Sequence, residues 1–268
     1  MSGVLFFAKE KLSSFENASL ESEILLADIL KVDRSYFRTH KDEIVSLFNR
    51  LKFRYYLHLR SQHVPLSYIR GWKEWCGLRI AVTSSVLIPR DETEVLFQEI
   101  IQSEKNPQKI LDIGTGSGCL ALALAKNYQQ AEVIAIDFSR AALSVAQKNF
   151  RAHNVEVETE YSDLLSAISS KTKFDIIVAN LPYVPTTLSL APEVQKEPEE
   201  AFFSGKDGLG LLTRFARELE QKEIEFKALW IEFLPEQWER IQQIFKKWYI
   251  EPHKDVGGDI YFARITSR

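Results

Sequence analysis

"LDIGTGSG", residues 111–118, leaves an apolar run and enters a helix-like one through Gly114, Gly116 and Gly118. Upstream, "KILDI" (109–113) has the length of a strand; downstream, "GCLALALAKN" (118–127) has the length and composition of a helix. Glycines let the turn between them take φ > 0 and let a ligand approach the backbone closely. The helix start behind them offers N–H groups that have no partner inside the helix. The same rhythm continues down the chain. "EVIAID" (132–137), "FDIIVAN" (174–180) and "ALWIEF" (228–233) read as buried strands, and "RAALSVAQKNFRAH" (140–153) as a helix. Strands alternating with helices predict an α/β fold built on a doubly wound, mostly parallel sheet. "IYFARI" (260–265) is expected to add an antiparallel edge strand.

In such sheets ligands lie beyond the carboxyl ends of the strands, and several motifs fall there. A dinucleotide fingerprint needs a third glycine three residues after Gly116, where Cys119 stands instead. The spacing G-x-G-x-G, with Asp112 two residues ahead, suits a smaller ligand lying across the loop. Asp137, ending the next strand, can accept hydrogen bonds from both ribose hydroxyls of a nucleoside; the alternative is a tight turn followed by an incidental acid. "SDLL" (162–165) can set a carboxylate and apolar atoms against an adenine ring, or merely cap a helix. "VANLPYVP" (178–185) ends a strand in an amide, two prolines and an aromatic ring. That is either a clamp for a ligand or a Pro-rich loop with a packing tyrosine.

The N-terminal part reads differently. "SLESEILLADIL" (19–30) spaces Leu20, Ile24, Leu25, Ile29 and Leu30 on one helical face, with Ser19 available as a cap. "DEIVSLFNRLKFRYYLHLR" (42–60) repeats the pattern through Ile44, Leu47, Phe48, Leu51, Tyr55 and Leu59, until Pro65 stops it. "WKEWCGLRIAV" (72–82) alternates around a glycine as a short hairpin does. Residues 1–85 carry 13 Lys/Arg against 9 Asp/Glu, and the rest 21 against 28, a split that hints at two modules. The whole chain, 45% apolar with a net charge of −3, makes no global demand for nucleic acid or a membrane surface.

"VLFFA" is followed at once by "KEK", too short a run for a signal peptide. No apolar stretch is long enough to span a membrane. Cys76 and Cys119 form no CxxC, so a reducing cytoplasmic compartment is expected. His40, His58, His63, His153 and His253 are scattered, and no metal is expected.

Taken together, "LIPRDETE" (87–94), "LDIGTGSG", "AID" (135–137) and "NLPYV" (180–184) resemble the protein-(glutamine-N5) methyltransferases that modify bacterial-type peptide chain release factors. The likeness runs from about Pro65 to the C-terminus, and the helical start is compatible with it. It implies an N-terminal helical bundle (1–70), a β-hairpin linker (71–85) and an S-adenosylmethionine (SAM)-dependent methyltransferase domain (86–268). It also implies that Gly114, Thr115, Gly116, Ser117 and Gly118 wrap the methionine part of SAM, that Asp137 holds the ribose, that Asp163 and Leu164 flank the adenine, and that Asn180 touches the cofactor as well as the substrate. Asn180, Leu181, Pro182, Tyr183 and Val184 would bind the target glutamine, with "IPRDETE" near the methionine end. The implied partner is a release factor; a monomer and no direct nucleic-acid binding are expected.

The chemistry such residues serve is orientation. A carboxamide nitrogen is a poor nucleophile, because its lone pair is delocalised into the carbonyl. Two acceptors gripping its hydrogens, the Asn180 side-chain oxygen and the carbonyl of Leu181, would aim it and stabilise the charge that develops on it. Tyr183 would wall the planar amide, and Pro182 keeps Leu181 out of helical angles. The sequence departs from the family at Leu181 and Asp91, each where proline is usual, and "DVGGDIYFARI" (255–265), whose one arginine is Arg264, lacks a further arginine that often occurs there. Leu181 predicts a softer clamp with activity retained. "KEPEEAFFSGKDGLG" (196–210) reads as a mobile lid. N6-adenine methylation of DNA or RNA is the competing enzymatic reading, since a similar clamp serves an exocyclic amine. A non-catalytic protein that binds release factors or ribosomes is the other.

Overall fold

The computed structural model describes residues 1–255 and 257–267, so Val256 of the C-terminal segment lies outside the described residues. Two compact units emerge: Met1–Trp72 with Ala191–Lys196, and Lys73–Leu190 with the described residues from Glu197 onward.

The first unit is helical: α1 (Ser2–Lys11), α2 (Ala18–Leu30), a single-turn α3 (Tyr36–Thr39), α4 (Leu47–Ser61) and α5 (Leu66–Arg70). Leu12, Leu25, Leu26, Phe53 and Leu57 form the centre of its core. The expected helices exist, but the faces differ from those the periodicity picked out. In α2, Leu20 is exposed and Leu26 is buried in its stead, while Asn17 rather than Ser19 sits at the cap position. Helix α4 begins at Leu47, where Ser46 accepts from the Asn49 N–H, not at residue 42.

Helix α4 also carries two apolar stripes. Of the predicted one, Leu47, Phe48, Leu51 and Tyr55 face solvent, as does Ile44 ahead of the helix, and only Leu59 packs against the core; the stripe through Phe53 and Leu57 faces the core. Arg60 decides between them. It is 3% exposed and grips Glu21 of α2 with both arms (Nε–Oε2 2.6 Å, Nη2–Oε1 2.9 Å), which forces its own side of α4 inward. Breaking that pair would leave the partly buried Glu21 carboxylate without its cation; Arg60→Ala is expected to lower stability by about 3 kcal/mol, read as an earlier thermal unfolding transition.

Next comes the hairpin β1 (Trp72–Trp75) and β2 (Leu78–Ala81), of the second unit from Lys73 onward, whose two-residue turn puts Cys76 and Gly77 at φ +48° and +69°. Both central residues at positive φ match the twist of paired strands. Then follow α6 (Asp91–Ser103), β3 (Lys109–Ile113), α7 (Cys119–Asn127), β4 (Glu132–Asp137), α8 (Arg140–Ala152), β5 (Glu158–Tyr161), β6 (Lys173–Ala179), α9 (Gly210–Gln221), β7 (Glu225–Glu232), α10 (Trp238–Ile244), β8 (Tyr249–Lys254) and β9 (Ile260–Thr266). The sheet runs β5-β4-β3-β6-β7-β9-β8, with β3 to β7 parallel and β9 antiparallel to both of its neighbours. The doubly wound, mostly parallel expectation holds. Strands β3, β4, β6 and β7 are nearly continuous apolar runs, as strands covered on both faces must be.

Two strands escaped the sequence reading. Strand β5 reads "ETEY" and β8 reads "YIEPHK"; both lie at sheet edges, where polar residues and a proline are tolerated. Because β8 takes the edge, β9 is an inner strand and not the edge strand expected.

The chain starts at β3, steps outward to β5, and returns to place β6 on the other side of β3. That reversal opens a crevice at the carboxyl ends of β3 and β6. The register sets Ile113 beside both Ile136 and Ala179, so the glycine loop, Asp137 and Asn180 all emerge at one level.

Candidate functional site

Local physics shapes the glycine loop first. Gly114, Gly116 and Gly118 have φ of +70°, +55° and +78°, values that side chains rarely tolerate. The N–H groups of Gly114 and Thr115 both donate to the Ile136 carbonyl (2.9 and 3.0 Å), which folds the loop over the end of β4. A Cβ on Gly114 would stand 3.2 Å from Leu181 Cδ2, whereas one on Gly116 would meet only the Gly114 carbonyl at 3.9 Å. Gly116 therefore floors open space. Gly118 instead serves packing, since a Cβ there would lie 2.8 Å from the Phe150 ring and 2.9 Å from Ala146; its absence lets α8 close against the loop.

A crevice of about 340 Å³ gathers most of the predicted residues: Gly114, Gly116, Asp137, Asp163, Leu164, Asn180, Leu181 and Pro182. Thr115 and Ser117 line the recess beside it, with Asp112 and Thr93. Asp137 is 6% exposed and accepts from the Gly116 N–H (2.9 Å) on one oxygen and the Ser139 N–H (2.8 Å) on the other. A carboxylate has about four acceptor sites, so each oxygen keeps a lone pair for a hydroxyl. Burial holds its pKa above the ordinary value, against the pull of those two N–H groups. Asp112 accepts from Thr115 Oγ1 (2.6 Å) and is pushed up to about 6, chiefly by burial.

"SDLL" makes a turn rather than a capped helix. Ser162 donates to the Leu164 carbonyl (2.6 Å), Leu164 sits at φ +49°, and the exposed Asp163 carboxylate is paired with Arg214. Phe138, half exposed beside Asp137, also lines the crevice. The sequence reading passed over it, although the residue after an acid at a strand end was a visible signal.

Asn180 is the first residue past β6, and its surroundings were the least legible part. Its Nδ2 donates to Thr93 Oγ1 (3.1 Å), Thr93 Oγ1 donates to Glu232 Oε2 (3.1 Å), and Tyr183 OH donates to Glu232 Oε1 (2.6 Å). Thr93 comes from "IPRDETE" and Glu232 from the end of "ALWIE", in α6 and β7. Glu232 is 1% exposed, and burial raises its pKa to about 7 although both hydroxyls pull it down. The tyrosine ring is held from both ends, because Gln237 Nε2 donates to the Tyr183 carbonyl (2.8 Å). Tyr183 thus stands behind the crevice, braced against Glu232. Val184 exchanges backbone hydrogen bonds with Phe202 and Ser204 (2.8 and 3.2 Å) instead of lining the crevice. Leu181, 4% exposed, is packed into the core of the sheet.

The other departure is equally well accommodated. Asp91 occupies the first position of α6, where an acid meets the unpaired N–H groups, and it reaches Lys73 (2.7 Å). The segment read as a mobile lid is tied down: buried Glu197 accepts from the Ile88 N–H (2.9 Å) and from Arg90 (2.7 Å). Asn149 of α8, another residue the sequence did not flag, is 1% exposed. It donates to the carbonyls of Ala81 (3.0 Å) and Ser117 (2.8 Å) and accepts from the Ala81 N–H (2.8 Å), joining β2 to the glycine loop. Asn149→Leu would leave three backbone groups without partners. A loss of about 3 kcal/mol is expected, a Tm lower by roughly 6–12 °C in thermal unfolding.

Residues 90–196 match the family model described as "Methyltransferase small domain", and residues 4–71 the "PrmC N-terminal domain". A release factor glutamine methyltransferase of Geobacter sulfurreducens is 40% identical over 72% of this chain and 69% of its own. One of Buchnera aphidicola is 37% identical over 97% and 95%. Among solved structures, a ribosomal protein L11 methylase of Lactobacillus delbrueckii subsp. bulgaricus superposes with a TM-score of 0.51 at 20% identity, covering 67% of this chain and 81% of its own, a likeness of fold.

Proposed function

This chain belongs to the family of release factor glutamine methyltransferases, and from that premise we propose that it transfers a methyl group from SAM to the side-chain nitrogen of a glutamine in a peptide chain release factor. One observation carries the reading: the glycine loop, Asp137 and Asn180 share a single crevice at the sheet's topological switch point. The residues fit the cofactor. Gly116 leaves open floor for a chain to cross, the Asp137 oxygens each keep a lone pair for a ribose hydroxyl, and Leu164 with Phe138 gives an apolar surface for a base. When bound, SAM supplies an activated methyl group, so the protein has only to bind, orient and polarise.

The chain's own residues then act on the acceptor. Asn180 Oδ1 accepts one amide hydrogen of the glutamine and the Leu181 carbonyl the other, which fixes the nitrogen and stabilises the positive charge it gains. Burial of Leu181 and the bracing of Tyr183 hold both acceptors in place. Among the described residues no helix is long and apolar enough to cross a membrane.

The experiment that tests the reading offers methyl-labelled SAM together with a purified release factor and with DNA and RNA. Label is expected in the release factor. Label in adenine would transfer the assignment to nucleic acid. A companion measurement isolates the cofactor site: Asp137→Ala should weaken SAM binding by about a hundred- to ten-thousand-fold in calorimetric titration, since two hydrogen bonds to a charged acceptor are lost.

A further inference from the structure

Building on the glutamine reading above, we propose that Glu232 is a positioning residue: its carboxylate, acting through the Thr93 hydroxyl, sets which way round the Asn180 carboxamide stands. Counting donors and acceptors leads there. An ionised carboxylate can only accept, and a hydroxyl has a single proton to give. Tyr183 gives its proton to Oε1 and Thr93 gives its proton to Oε2. Having spent its proton, Thr93 Oγ1 can only accept from its remaining neighbour, Asn180. The amide nitrogen of Asn180 must therefore face Thr93. Its oxygen, on the other arm of the same planar group, is turned away and has no partner among the described residues.

This matters because the two orientations are chemically opposite. With Oδ1 toward the crevice, Asn180 accepts from the glutamine NH2. With Nδ2 there, a donor would meet a donor and the clamp would repel its substrate. Asparagine alone encodes no preference between them, so the choice has to come from the groups behind it.

A neutral group at 232 reverses the chain of donation. Protonated Glu232, or glutamine in its place, still accepts from Tyr183 but now donates to Thr93. The Thr93 proton is then free for Asn180 Oδ1, and the amide turns round. Glu232 stands where such a change is within reach: burial raises its pKa to about 7. The charged groups around it oppose one another, Glu92 disfavouring ionisation and Arg90 favouring it. Tyr183 does not titrate in this range, because burial and Glu232 push its pKa well above the ordinary tyrosine value. Ionisation is the active state, so the correct orientation is present above the Glu232 pKa and is lost as pH falls through it.

The test needs no turnover. In protein carrying 15N in its asparagine side chains, the Asn180 NH2 resonances are expected to shift with pH through neutrality, and to sit at the low-pH position at every pH in Glu232→Gln. In the methyl-transfer assay, Glu232→Gln and Thr93→Val should lower kcat about ten- to a hundred-fold with the KM for SAM unchanged, while Thr93→Ser, which keeps the hydroxyl, restores most of it. The wild-type fall in kcat at acid pH should vanish in Glu232→Gln. An Asn180 side chain whose resonances ignore pH and are the same in the wild type, Glu232→Gln and Thr93→Val, all shown to be folded by thermal unfolding, would overturn the proposal. A wild-type protein that modifies no glutamine would instead strike at the substrate assignment, and the resonance measurement would still decide the role of Glu232.

Discussion

Asn180→Ala is expected to abolish glutamine methylation, with kcat lower by about a hundred- to a thousand-fold, the scale of removing one fixed dipole aimed at developing charge. The substitution should spare the fold, because Asn180 lies just past β6 and gives up one hydrogen bond, that to Thr93. It should also spare the cofactor site, whose polar contacts come from the glycine loop and Asp137. The diagnostic pattern is therefore a lost kcat beside an unchanged SAM affinity and a nearly unchanged Tm. A parallel fall in SAM affinity would mean that Asn180 serves the cofactor and not the acceptor.

The second large effect is expected at a glycine far from the reacting atoms in sequence. Gly208 has φ +76°, and a Cβ there would overlap the Tyr183 carbonyl oxygen and stand 2.6 Å from Gln237 Nε2. Those are the atoms that hold the back of the tyrosine. Neither can yield, since one is backbone and the other is fixed by its bonds to Tyr183 and to the Asp207 carbonyl (2.9 Å). Gly208→Ala should cost roughly 2–5 kcal/mol from left-handed strain plus overpacking. Tm should fall by roughly 5–15 °C, and transfer activity should fall with it as Tyr183 and the clamp are displaced. Gly205 is the control. Its φ is +81° but nothing lies within 4 Å of a Cβ there, so Gly205→Ala should show the strain alone, about 1–2 kcal/mol, with the clamp undisturbed.

The parts of this protein that are local in sequence were legible in it. A strand, a turn and a helix written into nineteen residues (109–127) declared the fold, because a buried parallel strand has to be apolar throughout and its exit has to be glycine. Asp137 and Asn180 could be placed for the same reason: one ends a recognisable strand and the other is the first residue past one. What could not be read were partnerships across the chain. Thr93 and Glu232 are 139 residues apart, and Asn149 meets Ala81 over 68. "ALWIEF" did hold a clue, an acid inside an otherwise apolar strand at its ligand-binding end, and the strand assignment took it for the strand's end and nothing more.

The helical unit failed to read for another reason. Helix α4 is apolar on two sides, and periodicity measures the spacing of a stripe without saying what covers it. Only the buried pair between Arg60 and Glu21 tells them apart. At the site, the departures from proline at 91 and 181 looked like losses in isolation. In three dimensions one acid settles on a helix start and one leucine fills the core.

The central claim is that the crevice presents a glutamine amide, and the most direct measurement is the position of the transferred methyl group. A purified release factor, incubated with SAM and this protein, would be digested and sequenced by tandem mass spectrometry. One added methyl group is predicted, on the side-chain nitrogen of a single glutamine. A methyl group on a lysine, an arginine or a chain terminus, or a release factor left unmodified while the protein binds SAM, would contradict it.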